Sequence, residues 1–184
     1  YAEWGRRGGW SSSSGRGWAN LSNAPFRMYK RYTHEGGVAT PLIVHWPAGM
    51  KAKGELRHAP GHLIDIAPTC LAAAGLEGKG MEGQSLLPVF ARDQKQARTL
   101  YWEHEGNRAV RKGDYKLVAI HNTPWELYDM SKDRSELKNL SSAMPKKTKE
   151  LRTAYDARAK RVGAKRSGER RVGKECTSRW SQNH

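Results

Sequence analysis

The sequence predicts an α/β chain in two parts: the end of an α/β domain over residues 1–96, then a small subdomain of antiparallel sheet and helix over 97–163. Three observations carry this. A short apolar run, Leu42-Ile43-Val44, lies between Pro41 and Pro47 and is followed by a helix-forming segment from Asp65. Four β-like runs with tight turns crowd between Thr99 and Asp129. A helical period follows Pro145.

Residues 1–24 read as a long irregular connection. Gly5, Gly8, Gly9, Ser11 to Ser14, Gly15 and Gly17 favour loop, while Trp4, Trp10 and Trp18 suggest packing onto a neighbour. Pro25 to Tyr32 reads as a helical turn leading into His34-Glu35-Gly36-Gly37. Val38 to Trp46 reads as a strand covered on both faces, as in a parallel sheet, because its apolar run is continuous.

Asp65 suits a helix N-cap, with Pro68 in the first turn where its missing N–H costs little. Ile66, Ala67, Cys70, Leu71 and Ala74 follow at helical spacing, and Gly75 fits the position just past the helix end. Cys70 is read as a buried small hydrophobe.

The later runs are Thr99–Glu103, Asn107–Arg111, Tyr115–Ala119 and Trp125–Asp129. Glu105-Gly106, Lys112-Gly113-Asp114 and His121-Asn122-Thr123-Pro124 separate them, a pattern expected of an antiparallel meander. Pro145 stands where a helix N1 belongs. Thr148, Leu151, Ala154, Tyr155 and Arg158 line one face of a helix ending near Gly163.

Composition narrows the class. The 184 residues carry 33 Lys or Arg against 18 Asp or Glu, a net charge of +15. Hydrophobic residues make up 37%, and seven Trp and seven Tyr supply enough large side chains to argue against pure disorder. No apolar run reaches the roughly 18 residues needed to span a bilayer. Two cysteines, Cys70 and Cys176, exclude a disulfide framework and a Cys-rich zinc site. The sequence opens on Tyr1, not Met, and shows no signal-peptide pattern, so it reads as a fragment or a processed product from which any targeting segment is missing.

Charge concentrates at the end. Residues 160–184 hold eight basic and two acidic side chains, a net +6. Only Trp180 interrupts this run with an aromatic, so residues 164–184 read as a solvated or appended tail. A basic nucleic-acid-binding module would put its charge on a folded face instead, and no nucleic-acid partner is expected.

Lys30 lies in Phe26-Arg27-Met28-Tyr29-Lys30-Arg31-Tyr32, shortly before Gly36-Gly37. A lysine point charge beside flexible backbone suits an oxyanion. Arg27 and Arg31 are assigned to surface or to packing of the turn, and Glu35 to hydrogen bonds that order the Gly36-Gly37 turn.

Several motifs in order carry a resemblance. They are Trp18-Ala19-Asn20, Pro25 to Lys30, His34 to Pro47, His62-Leu63-Ile64-Asp65-Ile66-Ala67-Pro68-Thr69 and Gly83-Gln84-Ser85-Leu86-Leu87-Pro88. Asn107 to Val118 and Glu126-Leu127-Tyr128-Asp129 complete the set. Over residues 16–163 the chain resembles the type I arylsulfatases, formylglycine-dependent enzymes of the alkaline-phosphatase-like superfamily. The resemblance implies the C-terminal part of a mixed-sheet α/β sulfatase domain and a small antiparallel subdomain. It implies hydrolysis of small-molecule sulfate monoesters by a formylglycine hydrate. A divalent cation, usually calcium, would be held by Asp and Asn ligands.

That resemblance puts Lys30 at a sulfate-contacting, catalytic position. His34, four residues on where the family varies, and His104, at a strand end of the small subdomain that can face the active-site mouth, are read as substrate-binding residues. It also implies that nucleophile and metal ligands lie N-terminal to Tyr1, in a missing part of the same chain. No Asp-Asn pair occurs here, and Cys176-Thr177-Ser178-Arg179 lacks the Pro or Ala and the Arg spacing of a formylglycine motif. The chain is therefore expected to be inactive alone and to hold no metal. A periplasmic or secreted location goes with the family. The nearest rival is a phosphate or phosphonate ester hydrolase of the same superfamily.

Overall fold

The computed structural model describes residues 15–51, 54–94 and 98–164. The expected basic tail lies outside these, apart from Ala164. The chain forms two compact units. One combines residues up to Ala39 with those from Tyr101 onward, and the other runs from Thr40 to Leu100.

The first unit is built on a four-stranded sheet, β1 (Thr99–His104), β2 (Asn107–Lys112), β3 (Tyr115–Ala119) and β4 (Glu126–Asp129), in sequential order. The four expected β-runs thus form within a residue or so of their anticipated ends. β2–β3 and β3–β4 are antiparallel, with Val110 opposite Leu117 and Leu117 opposite Leu127. Two-residue connections join β1 to β2 and β2 to β3. Glu105 and Gly106 join β1 to β2 with φ of 51° and 82°, the double left-handed geometry that matches strand twist.

The sheet is covered on both faces. On one, Val110, Leu117 and Leu127 meet Leu151 and Tyr155 of a 17-residue helix, Pro145–Arg161. Leu151 and Tyr155 are four apart, so they fall on one helical face. Trp125 stacks edge-on to Tyr155 with ring centroids 5.3 Å apart. On the other face, Ala109, Val118, Tyr128 and Met130 form a second cluster with Trp102. Lys116, two residues before Val118, shares that second face.

Part of the N-terminal segment departs from expectation. Gly15–Ser22 is a helix rather than loop. Residues 25–32 form no helical turn, and only Glu35–Val38 makes one short α-turn.

In the second unit, residues 39–46 form no strand, which corrects the expectation for Val38–Trp46. Ile43 is 91% exposed and Leu42 54%. A parallel strand takes its hydrogen bonds wholly from neighbours, and no described residue pairs with this one. A short 3₁₀ turn at Leu63–Asp65 leads into the helix Ile66–Ala73, and Gly75 closes it at φ 74° as anticipated. Cys70 is exposed rather than buried.

Asp65 does not cap that helix with its side chain. It is fully buried and accepts from the backbone N–H groups of His62 (2.7 Å) and Gln84 (3.0 Å). Both amino groups of the Arg98 guanidinium also donate to it. Burial alone would raise its pKa, but these donors hold it below the usual carboxylate value.

Candidate functional site

Lys30 sits at the tip of a loop that folds back on itself between Arg27 and Gly37. Tyr32 N–H donates to Tyr29 O at 3.1 Å, closing a turn with Lys30 and Arg31 at its centre. Gly36 N–H donates to Arg27 O at 2.9 Å, closing the base. Met28 and Arg31 adopt φ of 67° and 88°, so two non-glycine residues near Lys30 are held in left-handed backbone. Each such residue costs on the order of 1 kcal/mol and persists only where the surroundings enforce it.

The glycine pair has a steric purpose. A Cβ on Gly36 would stand 2.1 Å from Met28 O, and one on Gly37 would stand 2.0 Å from Tyr32 O. The pair lets the loop close on its own carbonyls.

The loop is anchored at three places to the small sheet and its turns. At its entrance, Arg27 Nη1 donates to Tyr128 Oη (2.9 Å), Glu126 Oε2 (3.3 Å) and Glu136 O (3.3 Å). At its tip, buried Asn107 donates from Nδ2 to Arg31 O at 2.9 Å, and Arg31 pairs with Glu105. At its exit, Glu35 accepts from Lys116 Nζ at 3.0 Å and from Arg134 Nη2 at 3.1 Å. Glu35 N–H donates to Glu136 Oε2 at 2.9 Å, and Lys116 Nζ also meets Glu136 Oε1 at 2.9 Å. Glu35 therefore orders the turn before the glycines, as expected from sequence.

The sequence-predicted residues fare differently. Lys30 is exposed, and no carboxylate among the described residues pairs with it. His34 does not line an open pocket. It is fully buried, with Nε2 3.3 Å from Glu126 Oε2. Burial lowers its pKa to about 4, and Lys116 and Arg27 push the same way, against the hydrogen bond that His34 donates to Glu126. It is neutral at pH 7 and acts as a tether. His104 lies at the exposed end of β1, 3.9 Å from Glu105.

Sequence reasoning missed Arg27, Lys116, Glu126, Tyr128 and Glu136 as a connected group. The sequence offered only a lysine, Lys116, inside the run Tyr115–Ala119 read as a strand, and nothing local names its partners.

No group of three or more His, Cys, Asp or Glu among the described residues can hold a metal ion. A divalent cation does not fit the donors of the described residues. No helix of the described residues is long and apolar enough to cross a membrane.

A family model described as N-sulphoglucosamine sulphohydrolase, C-terminal, matches residues 26–162. The chain belongs to this sulfatase family. The matched span begins at the Lys30 loop and ends with the long helix. An uncharacterized sulfatase of Schizosaccharomyces pombe is 32% identical over 73% of this chain and 27% of its own length. An N-acetylglucosamine-6-O-sulfatase of Bacteroides thetaiotaomicron is 33% identical over 66% of this chain and 25% of its own. Among solved structures, Ps i-CgsB in complex with k-i-k-neocarrahexaose aligns with a TM-score of 0.62 at 25% identity, over 72% of this chain and 32% of that one. The sulfatase C-terminal region thus spans about a quarter of the length of these curated relatives.

Proposed function

We propose that the whole protein hydrolyses sulfate monoesters of sugars and that this chain supplies the lysine that contacts the sulfate. The observation that carries this reading is Lys30, an unpaired ammonium at the tip of a three-point-anchored loop inside the family-matched span. A loop held in left-handed backbone at two residues keeps a strained shape, as functional sites often do. Arg27 and Arg31 of the loop pair with carboxylates, and Lys30 pairs with none among the described residues, which leaves its ammonium to meet an anionic group.

The chemistry follows from charge. As the S–O bond breaks, negative charge builds on the leaving oxygen and the sulfuryl oxygens. A prepositioned ammonium stabilises that charge without reorganising at the moment of reaction. Lys30 is suited to this as a compact point charge. His104, exposed at the end of β1, is assigned to the sugar part of the substrate. His34, being buried, is assigned to holding the loop.

The nucleophile and the divalent cation are assigned to the N-terminal part of the same polypeptide, with calcium as the expected ion. Sugar sulfates are favoured over other esters because a relative at 33% identity carries the name N-acetylglucosamine-6-O-sulfatase. A periplasmic or secreted location accompanies this reading.

The test is to express the complete enzyme that contains this chain and measure sulfate released from 6-O-sulfated amino sugars and from an aryl sulfate. Matched phosphate esters serve as the comparison. Sulfate release with little phosphate release is the expected result. Turnover of the phosphate esters alone would overturn the reading.

A further inference from the structure

We propose that Lys116 is a positioning residue for Lys30, holding the loop to the sheet through Glu35. The loop's meaning rests on the sulfate-ester reading, but the clamp itself does not.

Lys116 is fully buried, on the sheet face that carries Val118, Ala109, Tyr128 and Met130. Replacing the ammonium and both carboxylates together by apolar side chains would cost the fold little, whereas removing Lys116 alone strands two buried carboxylates. What the ammonium does specifically is reach two carboxylates at once, Glu35 at 3.0 Å and Glu136 at 2.9 Å. Glu35 is 81 residues away in sequence and belongs to the loop; Glu136 belongs to the turn after β4. Glu136 is itself held in left-handed backbone at φ 56°, which delivers its carboxylate to both Lys116 and the Glu35 N–H. The strand, the turn and the loop exit therefore meet at one ammonium.

The path from this clamp to Lys30 is short and hard. Glu35 fixes Gly36 and Gly37. A Cβ on Gly37 would stand 2.0 Å from Tyr32 O and 2.9 Å from Tyr29 O, so that glycine backbone already presses on the two residues that close the Lys30 turn. Close-packed backbone transmits displacement because there is no void to absorb it. Releasing Glu35 shifts the floor on which Lys30 stands, while Asn107 still ties Arg31 O to β2.

Two measurements test this. In the 184-residue chain, amide hydrogen exchange followed by NMR compares the unmutated protein with Lys116→Met. Exchange at Gly36, Gly37 and Ala39 is expected to accelerate about tenfold or more beyond any acceleration of the β2–β3 amides, which report the global loss of stability. Unchanged rates at those three residues, or an equal acceleration everywhere, would overturn the proposal. If Lys116→Met does not fold, Glu35→Gln decides by the same amides, since it leaves Lys116 facing Glu136 but removes the loop's own charge from the ammonium.

In the complete enzyme, kcat/KM for a sulfate ester is measured for Lys30→Ala, Lys116→Met and the double variant. If Lys116 acts through Lys30, the double variant loses little more than Lys30→Ala alone. Fully multiplicative losses would mean that Lys116 serves only the fold. An unmutated enzyme with no sulfate-ester turnover would count against the functional reading, and the exchange data would then decide the clamp.

Discussion

The Glu35 backbone N–H donates to the Glu136 carboxylate at 2.9 Å, joining the end of the Lys30 loop to the turn after β4. The two carboxylates also share the Lys116 ammonium, yet they respond to it oppositely. Burial raises the pKa of both. For Glu35, Lys116 and Arg134 together overcome that cost, and its pKa falls below the usual value. For Glu136, burial and the like charge of Glu35 outweigh Lys116, and its pKa rises.

The asymmetry predicts different costs of neutralisation. Glu35→Gln removes a charge that the folded state favours and weakens two charge-assisted hydrogen bonds. It is expected to cost about 2–3 kcal/mol at pH 7. Glu136→Gln keeps the acceptor for Glu35 N–H and is expected to cost less. Urea titration of the two variants measures the order, and a reversed order would refute the charge assignment.

His34 predicts a pH dependence with a definite sign. Its folded pKa of about 4 lies below the usual histidine value of 6.5, so the unfolded chain takes up the proton first as pH falls. The stability from neutral, buried His34 is full above pH 6.5 and is lost as pH drops toward 4. A shift of this size corresponds to about 3 kcal/mol. Glu136 works in the opposite direction, losing its contribution as pH rises through its raised pKa. His34→Gln should flatten the stability profile between pH 6.5 and 4, and an unaltered slope would assign that titration to another group.

Removal of metal should leave the chain unmoved. No cluster of potential ligands exists among the described residues, so chelator or added calcium should not shift its Tm, because a ligand stabilises only a state that binds it. The 184-residue chain should also release no sulfate from an aryl sulfate. Turnover above that of the Lys30→Ala chain would contradict the assignment of nucleophile and cation to another part of the polypeptide.

Local chemistry was legible in the sequence, and distant partners were not. The strands from Thr99 to Asp129 declared themselves as short β-like runs separated by tight turns, and Pro145 marked the start of the last helix. The expected strand at residues 38–46 failed because its hydrogen bonds depend on neighbours that local pattern cannot name. Asp65 looked like a cap, since a cap is the local use of an aspartate before a helix. Its guanidinium partner, Arg98, lies 33 residues on. Lys116 was equally hidden, because a lysine in a strand becomes a clamp only when Glu35 arrives from 81 residues away. Lys30 stood out through family resemblance, since one lysine before a glycine pair is a weak signal by itself.

Lys30 carries the sharpest prediction for the complete enzyme. Removing one preorganised charge from the oxygens of a transferring group costs on the order of 10²–10³ in rate, so Lys30→Ala should reduce kcat/KM by about that factor. Its exposed side chain makes no pair among the described residues, so Tm should hold. Lys30→Arg should also be impaired, because a planar fork does not reproduce a compact ammonium at a fixed point. The neighbouring arginines separate activity from folding. Arg31 pairs only at the surface with Glu105, and Arg31→Ala should be mild in both readouts. Arg27 bonds Tyr128, Glu126 and the Glu136 carbonyl, so Arg27→Ala should lower Tm through the loop's entrance. If Arg31→Ala were the crippling change and Lys30→Ala stayed near wild type, the sulfate contact would belong to a different side chain. The left-handed turn at Arg31 would then present the wrong cation to be the one this loop was built to hold.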